Sequence, residues 1–266
     1  MLKDITIGQY VRGESFLHKM DARAKLVFTI FYIVILFLAQ SPVSYGLLGA
    51  FLVLLIAVSQ VPVRFLVRGL KPMVLILIFT AAINLFMTPG EVLWQIGFIS
   101  ITKEGLITGV QMFLRLAFLV MGTSLLTLTT TPLMLTDGIE KLLKPLERFR
   151  VPAHEIAMMM TIAIRFIPTL AEETDKIMKA QTARGADFET GNILRRAKAM
   201  IPLLIPLFVS AFRRADDLAM AMDARCYHGG QNRTRMKQTR LGWRDGVGAG
   251  ALLVLLVAVE IFDKII

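Results

Sequence analysis

Five stretches of this chain are apolar on the scale of a bilayer crossing: residues 26–39, 43–60, 69–87, 105–131 and 246–262. A spanning helix needs about 20 apolar residues, because hydrocarbon offers no partner to unpaired backbone groups. The first stretch is short, but Arg23 and Lys25 can snorkel at its inner end. The fourth is interrupted only by Arg115, and the fifth carries a solitary Glu260. Hydrophobic residues make up 55% of the 266, far more than a soluble domain carries, so the membrane class leads. The expected fold is an all-α polytopic membrane protein with about five transmembrane helices.

Lys and Arg are placed unevenly between these stretches, and that sets orientation. The first 25 residues hold five, the turn at 40–42 none, the 61–71 connection three (Arg64, Arg68, Lys71), the 88–104 connection one, and residues 132–245 nineteen. The alternation predicts a cytoplasmic N-terminus, a cytoplasmic 132–245 region and an external C-terminus, with Lys264 a minor dissent. The net charge of +10 then reflects this bias and contact with anionic lipid, not nucleic acid. The polar opening residues show no cleavable signal peptide.

A loop as long as 132–245 without structure is improbable. Its pattern predicts three helices between spans four and five: 132–149, 153–184 and 193–227. Three domains follow, at 1–131, 132–245 and 246–266. The two longer helices each have an apolar part of about 15 residues and a charged part. The apolar parts are too short to span, and suit helices that dip into the membrane or bury under others. Pro168, Pro202 and Pro206 each remove a helical hydrogen bond and predict bends.

These two helices end alike. Asp175, Ala180, Ala183 and Arg184 recur as Asp216, Ala221, Ala224 and Arg225, offset by 41 residues. A cation at a helix C-terminus is favoured by the dipole, and Gly185 is an ordinary cap. Repetition shifts the weight towards docking. Two Arg-tipped ends with small neighbours (Ala183 and Gly185, Ala224 and Cys226) fit two similar sockets on a pseudo-symmetric partner, where a guanidinium fork meets a carboxylate. Arg115, about ten residues into the fourth span, marks a functional or pairing position. Glu155 or Glu172 is the carboxylate anticipated for it.

Catalytic motifs are missing. No G-x-x-x-x-G-K-[ST] loop, H-E-x-x-H or G-x-S-x-G occurs. Three scattered His (18, 154, 228) lack metal-ligand spacing, and the single Cys226 excludes an internal disulfide and a Cys-built zinc site.

The chain resembles the transmembrane T component of energy-coupling factor (ECF) transporters, a branch of ATP-binding-cassette importers, over essentially its whole length. Gly8-Gln-Tyr10 and the run from His18 through Asp21, Ala22, Arg23 and Lys25 to Leu26 are similar to the family's opening G-x-Y…H-x-x-D-P-R-x-K-L, with Ala22 in place of Pro. Ala183-Arg184-Gly185 and Ala224-Arg225-Cys226 stand where the family carries its X-R-X signatures; Cys226 replaces the usual Gly or Ser. The run Arg184-Gly-Ala-Asp-Phe188 is also family-like.

The resemblance implies a non-catalytic subunit. Each X-R-X end would dock on one of two ATPase subunits, which bind the ATP and Mg; the chain itself would hold no cofactor. A membrane-embedded S component would select the vitamin or other micronutrient, in a prokaryotic cell membrane. Two other classes compete. A self-contained secondary transporter calls for repeated spans with broken helices at the midplane, whereas the repeat here lies in the intervening helices. An enzyme acting on lipid or isoprenoid calls for convergent acid, base or metal residues, and none stand out.

Overall fold

Helices form where the apolar pattern places them, in a computed structural model that describes residues 10–96, 99–188, 192–229 and 241–265. In chain order they are α1 (Ala22–Leu38), α2 (Pro42–Ser59), α3 (Val63–Leu70), a 3-10 turn (Lys71–Met73), α4 (Val74–Met87), strands β1 (Val92–Ile96) and β2 (Ile99–Thr102), α5 (Lys103–Thr129), α6 (Pro132–Leu143), a 3-10 segment (Lys144–Phe149), α7 (Ala153–Ala183), α8 (Ile193–Asp223) and α9 (Trp243–Ile265). The protein is an all-α polytopic membrane protein apart from the antiparallel hairpin β1–β2. The start of the opening motif (Gly8, Gln9) and most of the polar connector before the last span (230–240) lie outside the described residues.

The contacts divide the chain into two units. One comprises residues 8–138 and 238–266, the other residues 139–237.

In the first unit, four helical runs among the described residues are long and apolar enough to cross a membrane: Pro42–Ser59, Val63–Met87, Lys103–Thr129 and Trp243–Ile265. Two expectations are corrected. The 61–71 connection is helical, so the third crossing starts at Val63 and runs through the 3-10 turn, and Arg64, Arg68 and Lys71 ride on a helix. The first of the five expected crossings, α1, is shorter than these four and is not one of them. α1 has 17 residues, about 25 Å at 1.5 Å per residue. It runs antiparallel to α5, with three ties: Lys25 Nζ donates to the Thr129 carbonyl at 3.0 Å, the Tyr32 hydroxyl to the Phe118 carbonyl at 3.4 Å, and Arg115 Nη2 to the Ala39 carbonyl at 2.9 Å. α1 therefore stops opposite the middle of α5.

The core of this unit lies where α1, α2, α5 and α9 meet around Ile35, Leu36, Tyr45, Leu48, Leu128 and Val259. The third crossing lies against α5. At Gly105 and Gly109 a Cβ would stand within 3.2 Å of the backbone oxygens of Leu85, Asn84 or Ala81, so glycine sets how close α4 and α5 approach.

The opening motif has a structural role. His18 Nδ1 and the Ser15 hydroxyl are 2.6 Å apart, and Nε2 lies 2.9 Å from the Val11 carbonyl. Asp21 caps α1 by accepting from the Arg23 amide, and its own amide donates to Asp245 at the start of α9. The second unit holds α7 and α8, each of 31 residues and each continuous through its prolines.

Candidate functional site

α7 and α8 close with the same turn. After α7, the Gly185 amide donates to the Thr182 carbonyl at 2.9 Å and the Ala186 amide to the Gln181 carbonyl at 3.0 Å. After α8, the Cys226 amide donates to the Asp223 carbonyl at 2.8 Å and the Tyr227 amide to the Met222 carbonyl at 3.1 Å. Both are Schellman closures, with the residue after Arg in the left-handed region. Gly185 takes φ +90° and Cys226 takes φ +53°. Arg184 and Arg225 hold the equivalent position, the last before the chain reverses hand.

All six residues of the two triplets, Ala183, Arg184, Gly185, Ala224, Arg225 and Cys226, are exposed. Neither guanidinium has an ion-pair partner among the described residues. A C-terminal cation gains from the helix dipole without a partner, so capping and docking are compatible in the isolated chain. A Cβ on Gly185 would meet nothing within 4 Å. Glycine is present there for its backbone, and the space around the tip is open.

Eleven residues before each Arg, the helices are tied together. Glu173 accepts from the Ser210 hydroxyl and from Arg214 Nη2, the latter at 2.9 Å. Glu173 and Arg214 are themselves 41 residues apart, so α7 and α8 join at equivalent points of the repeat. From that tie each helix runs about 16 Å to its Arg tip. The Ser210 hydrogen bond, followed by the bond and charge of Arg214, holds the Glu173 carboxyl below its ordinary range. At the other end of α7, His154 Nδ1 lies 3.1 Å from Glu140. The Glu173–Arg214 tie was open to discovery from sequence: extending the repeat frame upstream sets Glu172-Glu173 against Arg213-Arg214, opposite charges at matched positions.

Arg115 is placed in the first unit, with no ion pair among the described residues. It meets the last carbonyl of α1 and the rings of Phe37 and Tyr45, each centroid 5.7 Å from the guanidinium carbon. The α1–α2 turn it supports has a second anchor that sequence reading missed. Asp263, near the end of α9, accepts from the amides of Gln40 and Ser41 and from the Ser44 hydroxyl. No group of three metal-ligating side chains occurs among the described residues.

The exposed Arg ends belong to a region that also matches known proteins. The family model described as cobalt transport protein, CbiQ, matches residues 13–236. The chain is 54% identical over 257 residues to the energy-coupling factor transporter transmembrane protein EcfT of Acidaminococcus fermentans, covering 97% of this chain and 96% of the relative. It is 55% identical over 267 residues to that of Clostridium kluyveri, covering 100% and 98%. Against that of Bacillus subtilis it is 47% identical over 256 residues, covering 96% and 97%. The chain belongs to this EcfT family. It is a transmembrane component of an ECF transporter, which is a multi-subunit machine, and a non-catalytic one. The family match takes in residues of both units, including the whole of α7 and α8, and ends before α9.

Proposed function

We propose that this EcfT-family chain transmits ATP-driven motion from two ATPase subunits to a substrate-binding S component, for uptake of a vitamin or other micronutrient. ATP and Mg are bound by the ATPases, and substrate is selected by the S component. Residues 132–245 form the coupling-helix domain and face the cytoplasm, as does the N-terminus. Residues 1–131 and 246–266 form the membrane part in a prokaryotic cell membrane.

The observation that carries this reading is the matched pair of Arg-tipped closures. Two identical ATPases, or two alike, present two similar grooves, and two exposed guanidinium forks at equal distance from a common tie suit them. Ala183, Gly185, Ala224 and Cys226 leave each fork accessible to a partner backbone. The Glu173–Ser210–Arg214 tie makes α7 and α8 one lever: drawing the two tips together or apart turns both helices about the same point. Shear or hinge motion of packed helices is an ordinary way to carry such a signal.

The test is a pull-down of tagged chain co-expressed with its ATPase subunits. Arg184→Glu combined with Arg225→Glu should release both ATPases while membrane insertion is unaffected, since neither residue lies in a span. Stoichiometric ATPase retained on the double variant would reject docking and leave capping as the role of these residues.

A further inference from the structure

The third crossing carries a charged stripe that the coupling function does not use. Arg64, Arg68 and Lys71 are spaced by four and then three residues, which places them within a sector about 60° wide on an ideal helix. All three are exposed. α3 contains no acidic residue, and none of the three cations has a carboxylate partner among the described residues. Arg68 stands 5.9 Å from the ring centroid of Phe65, which steadies its outward reach.

The position of the stripe along the span is set by α5. Ala81 lies opposite Gly109, and Gly69 opposite Ser124. The Val63 end is thus level with the Thr129 end of α5, where Lys25 also makes its hydrogen bonds. The cations occupy roughly the first 12 Å of the crossing, the depth of an interface. Further into the span, Leu75, Ile78 and Phe79 are 78%, 57% and 64% exposed. One crossing thus offers cations at the interface and bare apolar surface at hydrocarbon depth.

We propose that this stripe is a binding site for an anionic phospholipid, with the phosphate held by Arg64, Arg68 and Lys71 and an acyl chain against Leu75, Ile78 and Phe79. Unpaired cations on the lipid-facing side of a span require a counter-charge or water at the interface, and a headgroup phosphate supplies the charge at that depth. A charge-bearing residue at an anionic surface strengthens lipid attraction by about fivefold, so three make the site selective over zwitterionic lipid. The site is independent of the ATPase-docking reading, since it uses neither Arg end.

The experiment is native mass spectrometry of the full chain carrying co-purified lipid from equal mixtures of phosphatidylglycerol and phosphatidylcholine, with a phosphatidylglycerol titration of thermal stability. Wild type should retain phosphatidylglycerol preferentially. The variant R64Q/R68Q/K71Q should bind it about a hundredfold more weakly, and single Gln variants about fivefold each. The variant R64K/R68K, which keeps the charges, should bind within about threefold of wild type, and this holds the test open if the triple variant fails to fold. Removing three charges elsewhere, as K176Q/K179Q/K198Q, should change nothing. Unaltered phosphatidylglycerol retention by the triple Gln variant would overturn the site. Equal losses in the K176Q/K179Q/K198Q control would reduce it to bulk charge and also overturn it. Loss of a membrane partner with lipid retention intact would assign the stripe to a protein contact instead.

Discussion

Arg184 and Arg225 occupy the same place in the same helix-ending turn, yet the residues that follow them differ: Gly185 reaches φ +90° at no steric cost, and Cys226 reaches φ +53° with a side chain. A left-handed residue with a Cβ is strained by about 1–2 kcal/mol. Gly185→Ala should therefore weaken the first closure by about 1 kcal/mol, purely through the backbone, because the added methyl meets open space. Hydrogen exchange reads this directly. The amides of Gly185 and Ala186, which donate into the turn, should lose about fivefold in protection, whereas Cys226→Ala should leave those of 226 and 227 nearly unchanged. Equal sensitivity at the two sites would mean that the strain is carried elsewhere.

The two tips should act as separable anchors. Removing one side of a buried charge pair at an interface typically costs about 2–5 kcal/mol, much of it the stranded partner charge, or a factor of roughly 30 to several thousand in affinity. Arg184→Ala or Arg225→Ala alone should weaken ATP-driven uptake while the complex persists through the other arm. A helix cap alone predicts only fraying, at about 0.3–1 kcal/mol per site. Uptake at the wild-type level in both single variants would favour the cap.

The helical membrane fold was legible because burial in lipid forces long apolar runs, and the α7–α8 pair was legible because its ends repeat. Arg64 and Arg68 were placed in the connection before a span starting at residue 69, because the cations interrupt the apolar pattern; the backbone is already helical from Val63, since side chains of that length reach the interface from the first turns of a span. The hairpin at 92–102 was hidden in a short connection. Asp263 was not singled out at all. Two of its three partners are backbone amides some 220 residues earlier in the chain, and backbone groups leave no mark in a residue pattern. Arg115 was visible as an oddity, but the Ala39 carbonyl it meets was not, for the same reason: a carbonyl cannot be seen in sequence, and a carboxylate can.

Acid should loosen the tie between α7 and α8. The native Glu173 carboxyl titrates below its ordinary range, chiefly through the Ser210 hydrogen bond and then Arg214. A depressed carboxylate stabilises the fold above its unfolded pKa, about 4.3, and the contribution is lost as pH falls through the lower native value. Spin labels at Lys179 and Met220, in a Cys226→Ser background, should report a narrow distance distribution at neutral pH that broadens well below pH 4.3. Glu173→Gln should broaden it already at neutral pH and remove the acid-dependent step. An identical pH response in wild type and Glu173→Gln would show that another group controls the tie.

Arg115 and Asp263 should prove to be one structural device. Between them they serve a single turn: Arg115 satisfies the Ala39 carbonyl, while Asp263 satisfies the amides of Gln40 and Ser41 and the Ser44 hydroxyl. That turn closes α1 opposite the middle of α5, and charged side chains from two other helices meet its backbone groups. Removing one partner of a hydrogen bond to a charged group costs about 1.5–3 kcal/mol. At roughly 2–4 °C per kcal/mol for a chain of this size, Arg115→Leu and Asp263→Ala should each lower the melting temperature by about 3–12 °C. Because both act on the same turn, the double variant should lose clearly less than the two single losses combined. ATPase co-purification, measured at a temperature where the variants remain folded, should be unchanged in all three. Additive losses would separate the two residues, and selective loss of a partner subunit from a fully folded Arg115→Leu variant would make Arg115 a functional position instead of a structural one.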